Sequence, residues 1–309
     1  MNTFSEIPED PVKLDAFLEE REAAYDLKPG TEAKIAWQPD GERRQTEYAI
    51  VYLHGFRASH PEGDPVHRTI AEKFGYNLFL SRMEEHGIDN DYPLLDLTVE
   101  KMLQSARFAY EIGKRIGKKI ILMGTSTGGS LALWLASREP YKSRISSLIL
   151  YSPLIRFYGL KGKLLMNAAS RGMLRIVPGK NYLIKTKGMT YAEERIWNKA
   201  YALKGALELG SFIQQYMQES LFSDVHVPTF TGYYYKNSEE QDTVVSVSAI
   251  KKMTKKLGLR TEQAQITNFP EAKNHVICNS LLSKAVPNVI VNTERFLKKH
   301  GSHATSENG

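Results

Sequence analysis

Strand-like and helix-like segments alternate along this chain, which predicts an α/β fold: a mostly parallel central sheet flanked by helices. Two further observations point the same way. The segments "EYAIVYLHG", "YNLFLSRM" and "KIILMG" are nearly continuous apolar runs, the pattern of strands buried on both faces. The 309 residues, 42% hydrophobic and 25% charged, suffice for one large core with an insertion.

In chain order, "PVKLDAFLEEREAAY" reads as an opening amphipathic helix, followed by the strands "EAKIAWQP" and "EYAIVYLHG". "YNLFLSRM" is the next strand. Val99, Met102, Leu103, Ala106, Tyr110 and Gly113 recur every three to four residues, the spacing of a helix with one buried face. "KIILMG" is a strand, and "TGGSLALWLASREP" a helix stopped by Pro140. "ISSLILYSP" and "PTFTGYYY" are strands, "AIKKMTKKLG" a helix, "EQAQITNF" a strand and "VPNVIVNTERFLKKHG" a closing helix. The alternation breaks once, between Pro153 and Val227. That stretch has two helix-like pieces, a glycine-rich middle and no clear strand. It is read as a cap, residues 156–226, inserted into a core domain of residues 1–155 and 227–309.

Charge is distributed unevenly. Between Arg156 and Lys204, eleven Lys and Arg face only Glu193 and Glu194, a surplus of nine. The whole chain carries +6, so the remainder is net negative. The surplus suits an anionic leaving group or weak contact with an anionic membrane surface. No nucleic-acid module accompanies it, and no nucleic-acid partner is expected.

Cys278 is the single cysteine, which rules out a disulfide framework or thiolate cluster. With no apolar secretory segment near the start and no run long enough to span a bilayer, a soluble, cytoplasmic protein is expected. The polar end "GSHATSENG" is expected to fray. No ligand cluster for a metal is evident, so neither metal nor cofactor is expected.

The stretch "MGTSTGGSL", straight after "KKIIL", carries the chemistry. A nucleotide-phosphate loop needs a lysine that is absent here, and the glycine spacing is not that of a dinucleotide fingerprint. What remains is G-x-S-x-G over Gly124, Thr125, Ser126, Thr127 and Gly128, between a buried strand and a helix. There the serine sits on a sharp turn with its hydroxyl projecting at the carboxyl end of the sheet.

A nucleophilic serine needs a base, and the base an orienting acid, here in the chain order serine, acid, histidine. Of eight histidines, His54, His60, His67 and His86 precede Ser126. His226 opens a strand, at the wrong end of the sheet, and His300 and His303 lie in the tail. His275 alone follows a strand in a loop. The acid belongs to the loop "KNSEEQDTVV" after the preceding strand; Asp242 is the first choice, with Glu239 and Glu240 open. The N–H groups of Thr127 and Phe56, the latter in "LHGF", are the expected oxyanion donors.

With "LHGF", "LSRMEEHG", "GTSTGG", the Asp242 loop and the His275 segment in this order, the sequence resembles the α/β-hydrolases. It is most similar to the small carboxylesterase and monoacylglycerol-lipase-like branch, where an "R…HG" segment follows the strand after the oxyanion loop. Here that segment is Arg82 to Gly87. The resemblance covers about residues 30–300. It implies Ser126 as nucleophile, His275 as base, Asp242 as acid, Phe56 and Thr127 at the oxyanion hole, and residues 156–226 as a lid. The implied activity is hydrolysis of a carboxylic ester, an acyl or lipid-like small molecule, through an acyl-enzyme. Thioesterase, peptidase and C–C hydrolase activities use the same triad, and a non-catalytic binder uses the same fold. Two departures stand out: the acid loop is longer than the usual "G-x-x-D", and Lys273-Asn274 rather than a small residue precedes the histidine.

Overall fold

A computed structural model of the chain describes residues 4–38, 41–176 and 182–300. Helix α1 (Leu14–Glu22) leads into β1 (Lys34–Ala36), β2 (Thr46–Leu53), α2 (Val66–Phe74), β3 (Asn77–Leu80), α3 (Val99–Ile116), β4 (Gly117–Thr125), α4 (Thr127–Ala136) and β5 (Ile145–Tyr151). A long excursion follows: α5 (Gly159–Met166), α6 (Ala168–Ile176), β6 (Leu183–Lys185), α7 (Tyr191–Glu194), β7 (Ala200–Ala202), α8 (Leu203–Tyr216) and α9 (Glu219–Ser223). The chain then completes the sheet with β8 (Thr229–Tyr233), α10 (Val247–Lys256), β9 (Ala264–Asn268) and α11 (Val286–His300).

Seven strands form one sheet in the order β1-β3-β2-β4-β5-β8-β9, all parallel except β1, which pairs antiparallel with β3 at one edge. The apolar strands are buried on both faces because helices cover both. Residues of α1, α3, α4, α8 and α10 pack one face, and residues of α2 and α11 the other. Helix α3 begins at Thr98, whose hydroxyl accepts the Lys101 N–H, and lays Met102, Leu103, Ala106, Ala109, Tyr110 and Gly113 inward.

The excursion between β5 and β8 contains an antiparallel pair, β6 with β7, where no clear strand is legible in the sequence. Each strand is three residues long, too short for an alternating pattern to register. Helix α2 is likewise unannounced. Its polar residues mask the buried Val66, Ile70 and Ala71, and Gly75 ends it at φ 64°. The expectations for Val177, Lys180, His303 and the "GSHATSENG" end lie outside the described residues. Among the described residues, no helix is long and apolar enough to cross a membrane.

Strand order positions the site. From β2 the chain steps outward to β3 on one side, then returns to β4 on the other. Loops leaving the carboxyl ends of β2 and β4 therefore diverge and open a crevice, where open α/β sheets bind ligands. Leu53, the last residue of β2, lies opposite Gly124 near the end of β4, so the loop after His54 and the turn at Ser126 face each other.

Candidate active site

Ser126 stands between β4 and α4 with φ 52° and ψ −115°, a left-handed conformation that non-glycine residues rarely adopt. The neighbouring glycines make this turn sterically feasible. A Cβ on Gly128 would lie 1.9 Å from the Leu53 carbonyl oxygen, and one on Gly124 would lie 2.5 Å from the Gly128 carbonyl carbon. Strand end, elbow and first helical turn thus pack backbone against backbone. The Ser126 N–H donates to the Tyr151 carbonyl at 2.9 Å, and the Ser126 carbonyl accepts from Leu154 N–H at 3.0 Å. Thr127 opens α4, and a first-turn N–H has no intrahelical acceptor to use.

His275 and Asp242 arrive from loops after β9 and β8. His275 Nδ1 lies 2.6 Å from Asp242 Oδ2. The other carboxylate oxygen accepts the Val244 and Val245 N–H groups at 2.8 and 3.0 Å. The Asp242 side chain is fully buried, and that of His275 is 13% exposed. Burial alone would raise the Asp242 carboxyl, but His275 and the two backbone donors outweigh it, so its pKa lies below the ordinary value. Burial would likewise depress His275, but the charge and hydrogen bond of Asp242, with a contribution from Glu62, raise its pKa. Nδ1 is thereby committed. Nε2 is buried and has no hydrogen-bond partner among the described residues.

The longer acid loop leaves no ambiguity in geometry. Glu240 pairs with Lys236 at 2.6 Å on the surface and Glu239 is exposed, while Asp242 reaches His275. Lys273, two residues before the histidine, turns the chain at φ 49°, and the Asn274 side chain accepts the Val276 N–H at 2.9 Å.

The loop after β2 is fixed from two sides. His54 Nδ1 lies 2.9 Å from the Gly55 carbonyl, and its Nε2 accepts the Met83 N–H at 3.1 Å, so His54 is a neutral ring with its proton on Nδ1. Burial, assisted by His86, holds its pKa well below the usual histidine value. From the other side, Glu62 Oε2 accepts the Gly55 N–H at 2.6 Å and Glu62 Oε1 accepts the Trp197 indole N–H at 3.0 Å. The Glu62 carboxyl is buried, which raises its pKa. Nothing in the sequence singles it out: Glu62 sits in a polar loop, and its indole partner lies 135 residues away.

Ser126, Thr127, Phe56 and His275 all line one cavity of about 410 Å³, together with Glu62 and Arg57. Its remaining wall is mainly apolar, with Leu154 and Val276 from the sheet side and Phe157, Trp197, Tyr201 and Leu209 from the excursion between β5 and β8. Arg82, in the "R…HG" segment, lies elsewhere. It forms a buried two-pronged ion pair with Glu22, Nε to Oε2 at 2.5 Å and Nη2 to Oε1 at 3.0 Å. Cys278 is fully buried, and burial pushes its thiol up to about 12, an inert group at neutral pH. No group of three His, Cys, Asp or Glu among the described residues is placed to hold a metal ion.

No protein-family model matches the chain, and no curated protein matches it by sequence. Solved structures do match in shape. One, from work on LipS and LipT, two metagenome-derived lipolytic enzymes, is 16% identical with a TM-score of 0.68, covering 89% of this chain and 100% of that one. The monoacylglycerol lipase of Paleococcus ferrophilus is 14% identical with a TM-score of 0.61, covering 87% of this chain and 98% of its own. A soluble variant of the Saccharomyces cerevisiae monoglyceride lipase is 15% identical with a TM-score of 0.60, covering 88% and 92%. At these identities the likeness concerns the fold, and the fold they share with this chain is the α/β-hydrolase fold.

Proposed function

Starting from an α/β-hydrolase fold, we propose that this protein is a serine hydrolase that cleaves carboxylic esters through an acyl-enzyme. The observation that carries the reading is His275: one ring nitrogen is held by a buried carboxylate, and the other has no partner among the described residues, in the cavity that Ser126 lines.

In the first step Ser126 Oγ attacks the ester carbonyl carbon as its proton passes to His275 Nε2. The tetrahedral oxyanion is held by the Thr127 N–H, at the positive end of α4, and by the Phe56 N–H. Asp242 stabilises the imidazolium and keeps the ring oriented. Collapse expels the alcohol, which takes the proton from His275, and leaves the acyl group on Ser126. Water then attacks the acyl-enzyme, with His275 again accepting the proton, and the free acid departs. The apolar wall suits an acyl or lipid-like chain, and we assign residues 156–226 as the cap over it.

The cap also has an outer face. Leu160, Leu164 and Met173 on α5 and α6 are 76%, 51% and 67% exposed, within the segment carrying the basic surplus. That combination suits docking on an anionic membrane surface. The test of the hydrolase reading is labelling by a fluorophosphonate probe, together with turnover of p-nitrophenyl esters. Both are expected in wild type and absent in Ser126→Ala; equal turnover by the two proteins would overturn it. A panel of oxygen esters, thioesters and amides separates the esterase reading from other uses of the triad, and failure of the probe to label would favour a non-catalytic binder.

A further inference from the structure

The strongest unassigned group in the molecule is the Glu62 carboxylate, buried in the wall of the Ser126 cavity and outside the triad. Its surroundings are specific. Oε2 takes the Gly55 N–H at 2.6 Å and lies 3.4 Å from the Tyr52 hydroxyl; Oε1 takes the Trp197 indole at 3.0 Å. Gly55 is shaped for it, since a Cβ there would lie 2.9 Å from Oε1.

Across the same residue, the Gly55 carbonyl accepts from His54 Nδ1 at 2.9 Å and from the Ala58 N–H at 3.3 Å. A trans peptide is planar, with its C=O and N–H pointing in opposite directions. Fixing the Gly55 carbonyl therefore fixes the direction of the Phe56 N–H, the donor assigned to the oxyanion. His54 and Ala58 hold that peptide plane through the carbonyl, and Glu62 holds the preceding N–H.

We infer that Glu62 is a positioning residue: it locks Gly55 so that the Phe56 N–H is held toward the developing oxyanion, and through Trp197 it ties that loop to the cap. The inference rests on the hydrolase reading. A buried anion beside an oxyanion hole would oppose catalysis unless its charge were spread over donors, and here each carboxylate oxygen has at least one. The charged and titratable groups around it are Arg57 and His275 in the cavity wall, Tyr52 on β2, and Cys278, whose Sγ lies 3.5 Å from the Glu62 carbonyl. Arg57 and His275 favour the ionised form of Glu62.

Glu62→Gln tests the lock. A glutamine in the same pose puts an NH2 group where one carboxylate oxygen stood, so either the Gly55 N–H or the Trp197 indole then faces a donor. The expected result is a fall in kcat of about 10- to 100-fold with KM changed far less, because the lost contact matters in the transition state. The acidic limb of the kcat/KM profile should also move to lower pH, since removing the anion removes part of what favours protonated His275. That limb reports the charge beside His275, whereas the loss in kcat at near-constant KM reports the lock and is the readout a merely structural glutamate would not move. In Glu62→Asp the limb should return toward wild type while kcat stays low, as the shorter acid keeps the charge but loses the reach.

Unchanged kcat in folded Glu62→Gln would overturn the inference whether or not the limb moves, as would an effect confined to KM. If circular dichroism shows that variant unfolded, Trp197→Phe decides. A several-fold loss in kcat at constant KM supports the lock, and a wild-type kcat overturns it. Absence of ester turnover and probe labelling in wild type would instead overturn the hydrolase reading and this inference with it.

Discussion

Two buried acid–base pairs sit at opposite sides of β2 and differ in their base and in how completely it is satisfied. In Glu22–Arg82 both carboxylate oxygens and three guanidinium nitrogens are engaged: Glu22 Oε2 also takes the Ala33 N–H at 2.9 Å, and Arg82 Nη1 reaches the His86 carbonyl at 3.3 Å. In Asp242–His275 the acid is equally saturated, but among the described residues the base's Nε2, in a cavity wall, has no partner. The first pair fastens α1 to the loop after β3. The second pairs its carboxylate with an imidazole, whose free nitrogen, unlike a guanidinium N–H, can accept a proton; on the hydrolase reading that is its use. Burial and charge pairing are common to both pairs; the proposed catalytic role rests on the incomplete satisfaction of His275 facing open space.

Breaking the incomplete pair should have the largest effect. Asp242→Asn keeps the shape but presents an N–H to His275 Nδ1, which places the ring proton on Nε2, where it blocks acceptance of the serine proton. A drop in kcat/KM of about 10⁴ is expected, measured with a p-nitrophenyl ester, alongside an unchanged circular dichroism spectrum. Breaking the complete pair should do the reverse. Glu22→Ala strands a buried guanidinium and should cost about 3–5 kcal/mol in urea unfolding, with activity per folded molecule retained.

A smaller effect sharpens the comparison through pH. His275 must be neutral to accept a proton, and its pKa is raised by Asp242 against the pull of burial. Protonation therefore persists to higher pH than in an ordinary histidine, and the acidic limb of kcat/KM should fall above about 6.5. The same shift contributes folding stability that is fully present below the unfolded-state value and is lost as pH rises through the folded one. A limb at or below 6.5 would show that burial wins instead.

The smallest effect concerns the basic surplus of residues 156–204. Association of the basic cap with phosphatidylserine vesicles should weaken several-fold between about 0.05 and 0.3 M salt, because exposed charges are screened within a Debye length. Co-sedimentation insensitive to salt would remove the membrane docking from the proposal.

Much of this was legible in the residues. The parallel sheet announces itself in apolar runs such as "KIILMG", and Ser126 and His275 emerge from spacing and elimination because chain order and strand ends constrain them. Asp242 was one of three acids until the fold showed which one His275 meets. Three features had no local signal. The β6–β7 pair is too short for a period, and α2 carries too many polar residues. Glu62 sits in "SHPEGDP", a run that reads as solvent-exposed turn; its burial depends on Trp197, far along the chain, and only long-range packing could reveal it. The Arg82 segment shows the opposite case, a visible motif whose arginine serves architecture at a distance from the cavity.

The cavity wall has one further consequence, for its capacity to change. Trp197 holds Glu62, its neighbour Asn198 donates its N–H to the Arg57 carbonyl at 2.8 Å, and Tyr201 meets the Phe56 ring edge-on with centroids 5.3 Å apart. On the hydrolase reading, altering that side to admit a different acyl chain would disturb the loop carrying Phe56 as well. Ala206 and Leu209 on α8 line the same space with apolar side chains that make no hydrogen bond to that loop. If the chain hydrolyses esters, changes of substrate range are expected along α8, where the wall can be recut without disturbing the bonds that hold the Phe56 loop.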